Sequence, residues 1–377
     1  MPRSSKLSIE QINLLDYGSS ATKSLDQTMS GAITVRAYDP QVVDLIPEDL
    51  KDPLFVYKPT VPIENQAWVS WGDRIYATGK LAKLKRGDLS LHHLKQERII
   101  PKSLAAIFPS LGDRRKATIA VVGQLPAGEW ASRDELSRDL TQALKEFNTP
   151  LGVYKVKATV IFMPEGAGIV AYKEMNDPNF YDKSIASFII GFRNLSALVV
   201  EGGVQSIIRS SKWGFSALVQ DVSDHVKEQS VERLTPILSR AFNPPYRLES
   251  NVLLDRRPFF EITHARSGAK QVQEVDQLVA AAEAALERYL KSAIGWMQGV
   301  VNELSGSCDE VILSGGTAET LKRHFSKRWM QQFPLYSFHA ELSLPTSLDD
   351  KELGVRLLDP YAALMCLSPS IFDAITV

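Results

Sequence analysis

The residues best suited to chemistry sit on glycine turns near the two ends of the chain. The first is Asp16-Tyr17-Gly18-Ser19-Ser20-Ala21-Thr22-Lys23, reached through Ile12, Leu14 and Leu15. It reads as a short strand, a tight turn and a second strand. Gly18 permits a sharp reversal that a Cβ would penalise. Ser19, Ser20 and Thr22 add hydroxyls, and the turn's N–H groups can surround an anion. Lys23 supplies a point charge suited to phosphate. Asp16, at the strand end, can orient the water shell of Mg2+, a cation that keeps several of its own waters. The same composition also makes an ordinary solvated hairpin, and it is the second turn that favours chemistry. There Ser314-Gly315-Gly316-Thr317 separates an apolar run from a helical stretch, and a helix N-terminus attracts anions.

Two further turns carry reactive side chains. The apolar strand 153–163 ends at Pro164-Glu165-Gly166-Ala167-Gly168, which delivers Glu165 to a glycine-rich turn fit to orient an attacking water. The alternative for Glu165 is a cap on the helix that starts at Gly166 or Ala167. In Gly191-Phe192-Arg193-Asn194, Arg193 can bind phosphate oxygens in a bidentate fashion. Its alternative is a surface turn. His92, His93, His225, His264, His324 and His339 show no ligand spacing, and neither Cys308 nor Cys366 lies near a His at zinc spacing.

Periodicity indicates the elements that must hold these turns. Residues 32–38 and 117–122 are strands, and 67–82 is an aromatic-rich hairpin turning at Gly72-Asp73. Residues 39–62 hold five prolines and read as an irregular excursion. The stretch 89–108 is helical with an interruption near Pro101, and 132–146 is a helix with Ser132 as cap and Glu135 completing a capping box. Strands 187–190 and 196–200 flank the Gly191 turn, repeating the layout around Gly18. Helices follow at 214–226 and 232–242. The longest element, 272–304, keeps an alanine-rich apolar stripe at helical spacing. A strand at 310–313, a helix at 318–325, a strand-like 335–342 and a helix at 359–367 complete the chain.

At 377 residues the chain is long enough for two domains. A formal net charge of −1 gives no global electrostatic drive toward nucleic acid or membranes. No apolar run approaches the roughly 20 residues that span a bilayer. The polar N-terminus and the sparse cysteines indicate a cytoplasmic protein.

The order of these pieces resembles the actin-like ATPase fold, and more closely the ParM/StbA-like bacterial actins. The segment DYGSSATK looks like the family's first phosphate loop, VVGQLP like its strand-end segment, and VIFMPEGAG like the acidic turn holding the water-positioning glutamate. WGFSALVQDV is similar to the helix start whose glycine and serine, here Gly214 and Ser216, lie close to the nucleotide. DEVILSGGTAETL resembles the adenosine motif, which points to Gly315, Gly316 and Thr317. The second phosphate loop departs from the pattern: Gly191 stands where the family has an acidic residue, and Arg193 where it has a glycine. The resemblance implies an α/β protein of two domains, 1–175 with 341–377 and 176–340, each a mixed sheet with flanking helices. It further implies ATP or ADP with Mg2+ in the cleft between them. Catalytic roles fall to Glu165 and Asp16, and nucleotide contacts to Gly18, Ser19, Ser20, Lys23, Arg193 and Asn194 with the residues above. Self-association into filaments, a small DNA-binding adaptor as partner, and slow or altered hydrolysis are also implied. A non-polymerising nucleotide-binding scaffold of the same superfamily is the competing reading.

Overall fold

The computed structural model describes residues 9–87, 95–226, 229–246, 248–249 and 252–373. The chain divides into two compact units, Met1–Asn176 with Leu342–Val377, and Asp177–Glu341. In the first unit β1 (Gln11–Tyr17), β2 (Thr22–Thr28) and β3 (Ile33–Tyr38) form an antiparallel meander. Next come β4 (Val42–Leu45), β5 (Trp68–Trp71) and β6 (Arg74–Thr78), with β6 antiparallel to both others. Helices α1 (Gly79–Leu84) and α2 (Ile99–Leu111) lead to β7 (Lys116–Leu125) and α3 (Arg133–Leu144). The short β8 (Phe147–Thr149), the long β9 (Gly152–Pro164) and α4 (Ala167–Asn176) follow. The nine strands run β3-β2-β1-β7-β9-β8-β5-β6-β4, and β7 is parallel to both β1 and β9.

The second unit opens with another meander: β10 (Ser184–Ile190), β11 (Leu195–Glu201) and β12 (Val204–Ser211). Then come α5 (Phe215–His225), α6 (Val231–Phe242) and the 34-residue α7 (Gly268–Val301). It closes with β13 (Glu310–Ser314), α8 (Gly316–Thr320), α9 (Lys322–Arg328) and β14 (Leu335–Phe338). Its sheet order is β12-β11-β10-β13-β14, with β13 parallel to both β10 and β14. Five strands of the first unit, β3-β2-β1-β7-β9, have the same arrangement, an antiparallel meander followed by two parallel strands. Both units therefore place a glycine turn after the first strand of a meander.

The last helix, α10 (Leu358–Asp373), belongs to the first unit and explains why its central strands are apolar on both faces. Leu15 and Tyr17 of β1, with Ile119 and Val121 of β7, pack with residues of α2 and α3. Ile12, Leu14, Ala120 and Val122 point the other way, onto Ala363 and Leu364 of α10. Strands covered on two sides read as continuous apolar runs rather than alternating ones. In the second unit the α7 stripe, Leu278, Ala282, Leu286, Tyr289, Ala293 and Met297, is buried with the inward residues of β10 and β11 in one core.

Several local expectations are corrected. Ser132 makes no side-chain cap: a 3-10 turn over Ala127–Ser132 runs straight into α3, so Ser132 has helical backbone rather than the extended conformation a cap requires. Pro101 does not interrupt α2. It lies in the helix's first turn, where no intrahelical donor is lost. The rest of that expected helix, 89–94 with His92 and His93, lies outside the described residues. The helix expected at 318–325 is broken at Leu321 into α8 and α9. The expected strand 335–342 ends at Phe338, because His339, Ala340 and Glu341 all have left-handed backbone, φ 59°, 52° and 59°. The strand β12 carries no apolar alternation, so no sequence period marks it.

Candidate functional site

In open α/β sheets, ligands bind outside the carboxyl ends of parallel strands. At that end of the first unit, register sets Asp16 on β1 opposite Lys23 on β2 and Gln124 on β7. β9 ends beside them, and Glu165 N donates to Leu125 O at 2.9 Å. Gly18 is placed where a Cβ would lie 2.6 Å from Ala21 O and 3.5 Å from both Asp16 Oδ1 and Lys23 Nζ. The turn therefore closes directly over the charged pair. Lys23 is buried, ion-paired to Asp16 Oδ2, and donates to Arg356 O at 3.1 Å. Its ammonium is thus pre-positioned by a carboxylate instead of waving in solvent. Ser19 is buried and Ser20 exposed. The buried Thr22 hydroxyl has no hydrogen-bond partner among the described residues.

Glu165 is half-buried, and Gly166 after it takes φ +92°, a conformation that turns the chain at low cost only for glycine. Two N-terminal donors of the following helix are taken by Asp359, from α10. Its Oδ2 accepts Gly166 N at 2.8 Å and Gln124 Nε2 at 2.7 Å, and its Oδ1 accepts Ile169 N at 3.1 Å. α4 and α10 approach so closely that a Cβ on Gly168 would lie 2.1 Å from Asp359 O. Burial pushes the Asp359 carboxyl up to about 6, and the charges of Asp16 and Glu165 push in the same direction. Asp359 and Gln124 were not singled out from sequence. The only signal was an acidic residue opening an apolar helix, which any helix N-terminus favours.

At the corresponding end of the second unit, the Gly191 turn is stitched to two helices. Gly191 O accepts Phe215 N at 3.1 Å and Thr317 Oγ1 at 2.8 Å, and Phe192 O accepts Ser216 N at 2.7 Å. The first donors of α5 are therefore satisfied by the turn's carbonyls. Arg193 is half-buried and its Nε donates to Asn194 Oδ1 at 3.3 Å. Gly315 has φ +97°, and a Cβ there would lie 2.5 Å from Ile190 O. Gly316 begins α8. Ser314 Oγ is 2.9 Å from His339 Nδ1, whose Nε2 is 3.1 Å from Glu319 Oε2. Buried Gly214 allows the turn to approach α5 closely. A Cβ at Gly214 would lie 2.4 Å from both Arg193 C and Phe192 O. Gly214→Ala should therefore push the turn off α5 and cost about 1–3 kcal/mol, as overpacking does. A lowered urea midpoint with unchanged slope is the expected result; an unchanged midpoint would mean the turn yields freely.

The second unit also holds a cavity of about 520 Å³ whose wall includes Phe242, Asn243, Tyr246, Glu319, Thr320 and Lys327. His324 also lines it, with a buried Nε2 that has no partner among the described residues. Burial holds the imidazole down to about 4, so it is neutral at pH 7. Glu319 and Thr320 are the last two residues of α8, the helix that begins at Gly316. The cavity wall joins the end of α6 to α8, a juxtaposition that no local pattern encodes. Among the described residues no group of three His, Cys, Asp or Glu side chains could hold a metal directly, and no helix is long and apolar enough to cross a membrane.

No family model and no curated protein matches the chain by sequence. Solved structures do match its fold. An archaeal actin homolog superposes with a TM-score of 0.58 at 12% identity, over 95% of this chain and 99% of that one. An AlfA filament bound to AMPPNP gives 0.54 at 11%, over 98% and 100%. Bacillus thuringiensis ParM with AMPPNP gives 0.54 at 12%, over 95% and 98%.

Proposed function

We propose that this chain, which has the fold of the ParM-type actins, is a nucleotide-dependent filament-forming protein. Its ligand on this reading is a purine nucleoside triphosphate with Mg2+, acting in the cytoplasm to move plasmid DNA or to organise the cell. The observation that carries the reading is the repeated sheet end. Each unit delivers a glycine turn at the carboxyl ends of its parallel strands, the first with Lys23, Asp16 and Glu165, the second with Arg193, Asn194 and the Gly315–Thr317 backbone. AMPPNP in the AlfA and ParM structures makes ATP the first ligand to test.

In this scheme Lys23 and the Ser19-Ser20 turn take the phosphates of the first side, and Arg193 and Asn194 those of the second. Asp16 and Glu165 fit a magnesium ion only through its waters, since Asp16 Oδ2 is already paired with Lys23. The ion would supply charge neutralisation on the phosphates. A small DNA-binding adaptor would couple filaments to cargo. The competing reading, a nucleotide-binding scaffold that neither turns over nor polymerises, draws support from Gly191 standing where an acidic residue would order magnesium water.

Two measurements separate these. Pelleting and light scattering should show nucleotide-dependent assembly, since a ligand favours the conformation it binds more tightly. A protein that stays monomeric at tens of micromolar with every nucleotide tried would sink the filament reading. Lys23→Ala should weaken nucleotide binding by about 1.5–3 kcal/mol, the range for a charge-assisted hydrogen bond. Unchanged affinity in calorimetry would remove Lys23 from the site.

A further inference from the structure

We propose that Glu319 makes this protein select guanine over adenine nucleotides, an inference that rests on the nucleotide reading above and extends it to the base. On that reading the base is placed in the cavity lined by Glu319 and Thr320, the last residues of the helix that begins at Gly316. Glu319 lines that cavity from α8. The carboxylate is not a loose surface group. Its Oε2 is 3.1 Å from Nε2 of the buried His339, which is itself anchored 2.9 Å from Ser314 Oγ on β13. Lys322 Nζ lies 3.6 Å from the same oxygen. Both contacts fall on Oε2, and a carboxylate has about four acceptor sites in all, so capacity remains for a ligand.

The chemistry of that group decides between the two purines. An ionised carboxylate only accepts hydrogen bonds. Guanine presents two adjacent donors, N1–H and the 2-amino group, which match a carboxylate in bidentate fashion. Adenine turns the N1 lone pair toward the same position, so acceptor faces acceptor. The adjoining edge of guanine, O6 and N7, accepts from Lys or Arg. The cavity supplies Lys327, which has no ion-pair partner among the described residues, together with Lys322. Tyr246 offers a ring face for stacking, its other interactions being the Arg257 guanidinium 4.2 Å from the ring centroid and the Asp255–Arg257 pair. Arg323 is not available for the base, since it holds the cavity wall by donating to Val252 O and Leu253 O. A polar site built for a donor pair discriminates through what it leaves unpaired when the wrong ligand enters.

The test is equilibrium titration of the full-length protein with ribose-labelled GTP, ATP and ITP in the presence of Mg2+. GTP should bind about tenfold to a hundredfold more tightly than ATP, the discrimination of one bidentate base contact. ITP, which lacks only the 2-amino group, should fall between them. Glu319→Gln should bring GTP down toward ATP and erase the difference between GTP and ITP, while circular dichroism stays that of wild type. His339→Gln, which loosens the carboxylate without removing it, should narrow the GTP preference partially. Equal binding of GTP and ATP, or a preference that survives Glu319→Gln, overturns the assignment and leaves the nucleotide reading intact. Failure of every nucleotide to bind overturns both.

Discussion

Glu165→Ala is expected to lower steady-state phosphate release by on the order of a hundredfold while leaving assembly intact and filaments longer-lived. Glu165 is half-buried at the end of β9, before a φ +92° glycine, and its backbone is pinned to Leu125. A carboxylate so held can orient an attacking water, and positioned general bases contribute about 10²–10⁴ in rate. The wild-type rate should itself be slow. On the nucleotide reading, Gly191 would offer no carboxylate to the water shell of a magnesium ion, which would leave that task to Asp16. In-line transfer loses on the order of a hundredfold from an angstrom of misplacement. The measurement is phosphate release for wild type, Glu165→Ala and Gly191→Asp. A Glu165→Ala protein that hydrolyses as fast as wild type would leave Glu165 without a catalytic role. Gly191→Asp should accelerate turnover; an unchanged rate would indicate that Arg193 has replaced the missing acid.

The second large effect concerns Asp359. Asp359→Ala would strand three donors at once, Gly166 N, Ile169 N and Gln124 Nε2, in a site with little access to water. Each buried donor left unpaired costs about 1–3 kcal/mol. A loss of about 2–4 kcal/mol is expected at pH 5, read by urea unfolding. The effect should shrink as pH rises, for the following reason. The folded-state pKa of Asp359 is raised to about 6 from an ordinary 3.8, so between those values the native state holds a proton that the unfolded chain releases. Stability from this group is complete below about pH 4 and falls as pH rises toward 6. Two pKa units correspond to about 2.7 kcal/mol. The alanine variant lacks this dependence, so its deficit relative to wild type should be smaller at pH 7 than at pH 5. Asp26, raised to about 6 chiefly by burial, contributes the same slope to both proteins and cancels in the difference. A deficit that grows with pH would show that the Asp359 carboxylate is stabilised by its site. Misplacement of Gly166 should also reduce phosphate release by the Asp359→Ala protein under native conditions.

What could be read without coordinates was whatever lies within one or two elements of chain. The glycine turn at Gly18, the strand ending at Glu165, the apolar stripe of the long helix and the strand before Gly315 are local patterns. Their period and turn chemistry follow from backbone sterics and solvent exposure. Their order along the chain was enough to suggest an actin-like fold, which the solved structures match. Where local signals competed, the reading slipped. Ser132 has the composition of a cap, but the preceding turn is already helical. Residues 339–342 look extended, yet three left-handed residues end the strand.

Tertiary structure alone decided which side chains meet. Asp359 stands 193 residues from Gly166 and 235 from Gln124, and His339, just after β14, meets Ser314 at the end of β13 and Glu319 on α8. Lys23 is tied to Asp16 by antiparallel register, which a slip of one residue would have turned to the opposite face. A hydrogen bond needs its partners placed within a few tenths of an ångström, and such placement comes from the packing of α10 on β1 and of α8 against β10. The sequence by itself determined which segments become strands, turns and helices, because those choices depend on neighbours in the chain. Which carboxylate takes the first donors of α4, and which histidine meets Glu319, was decided by the three-dimensional arrangement, because helices and strands distant in sequence must bury their apolar faces together before those groups can meet.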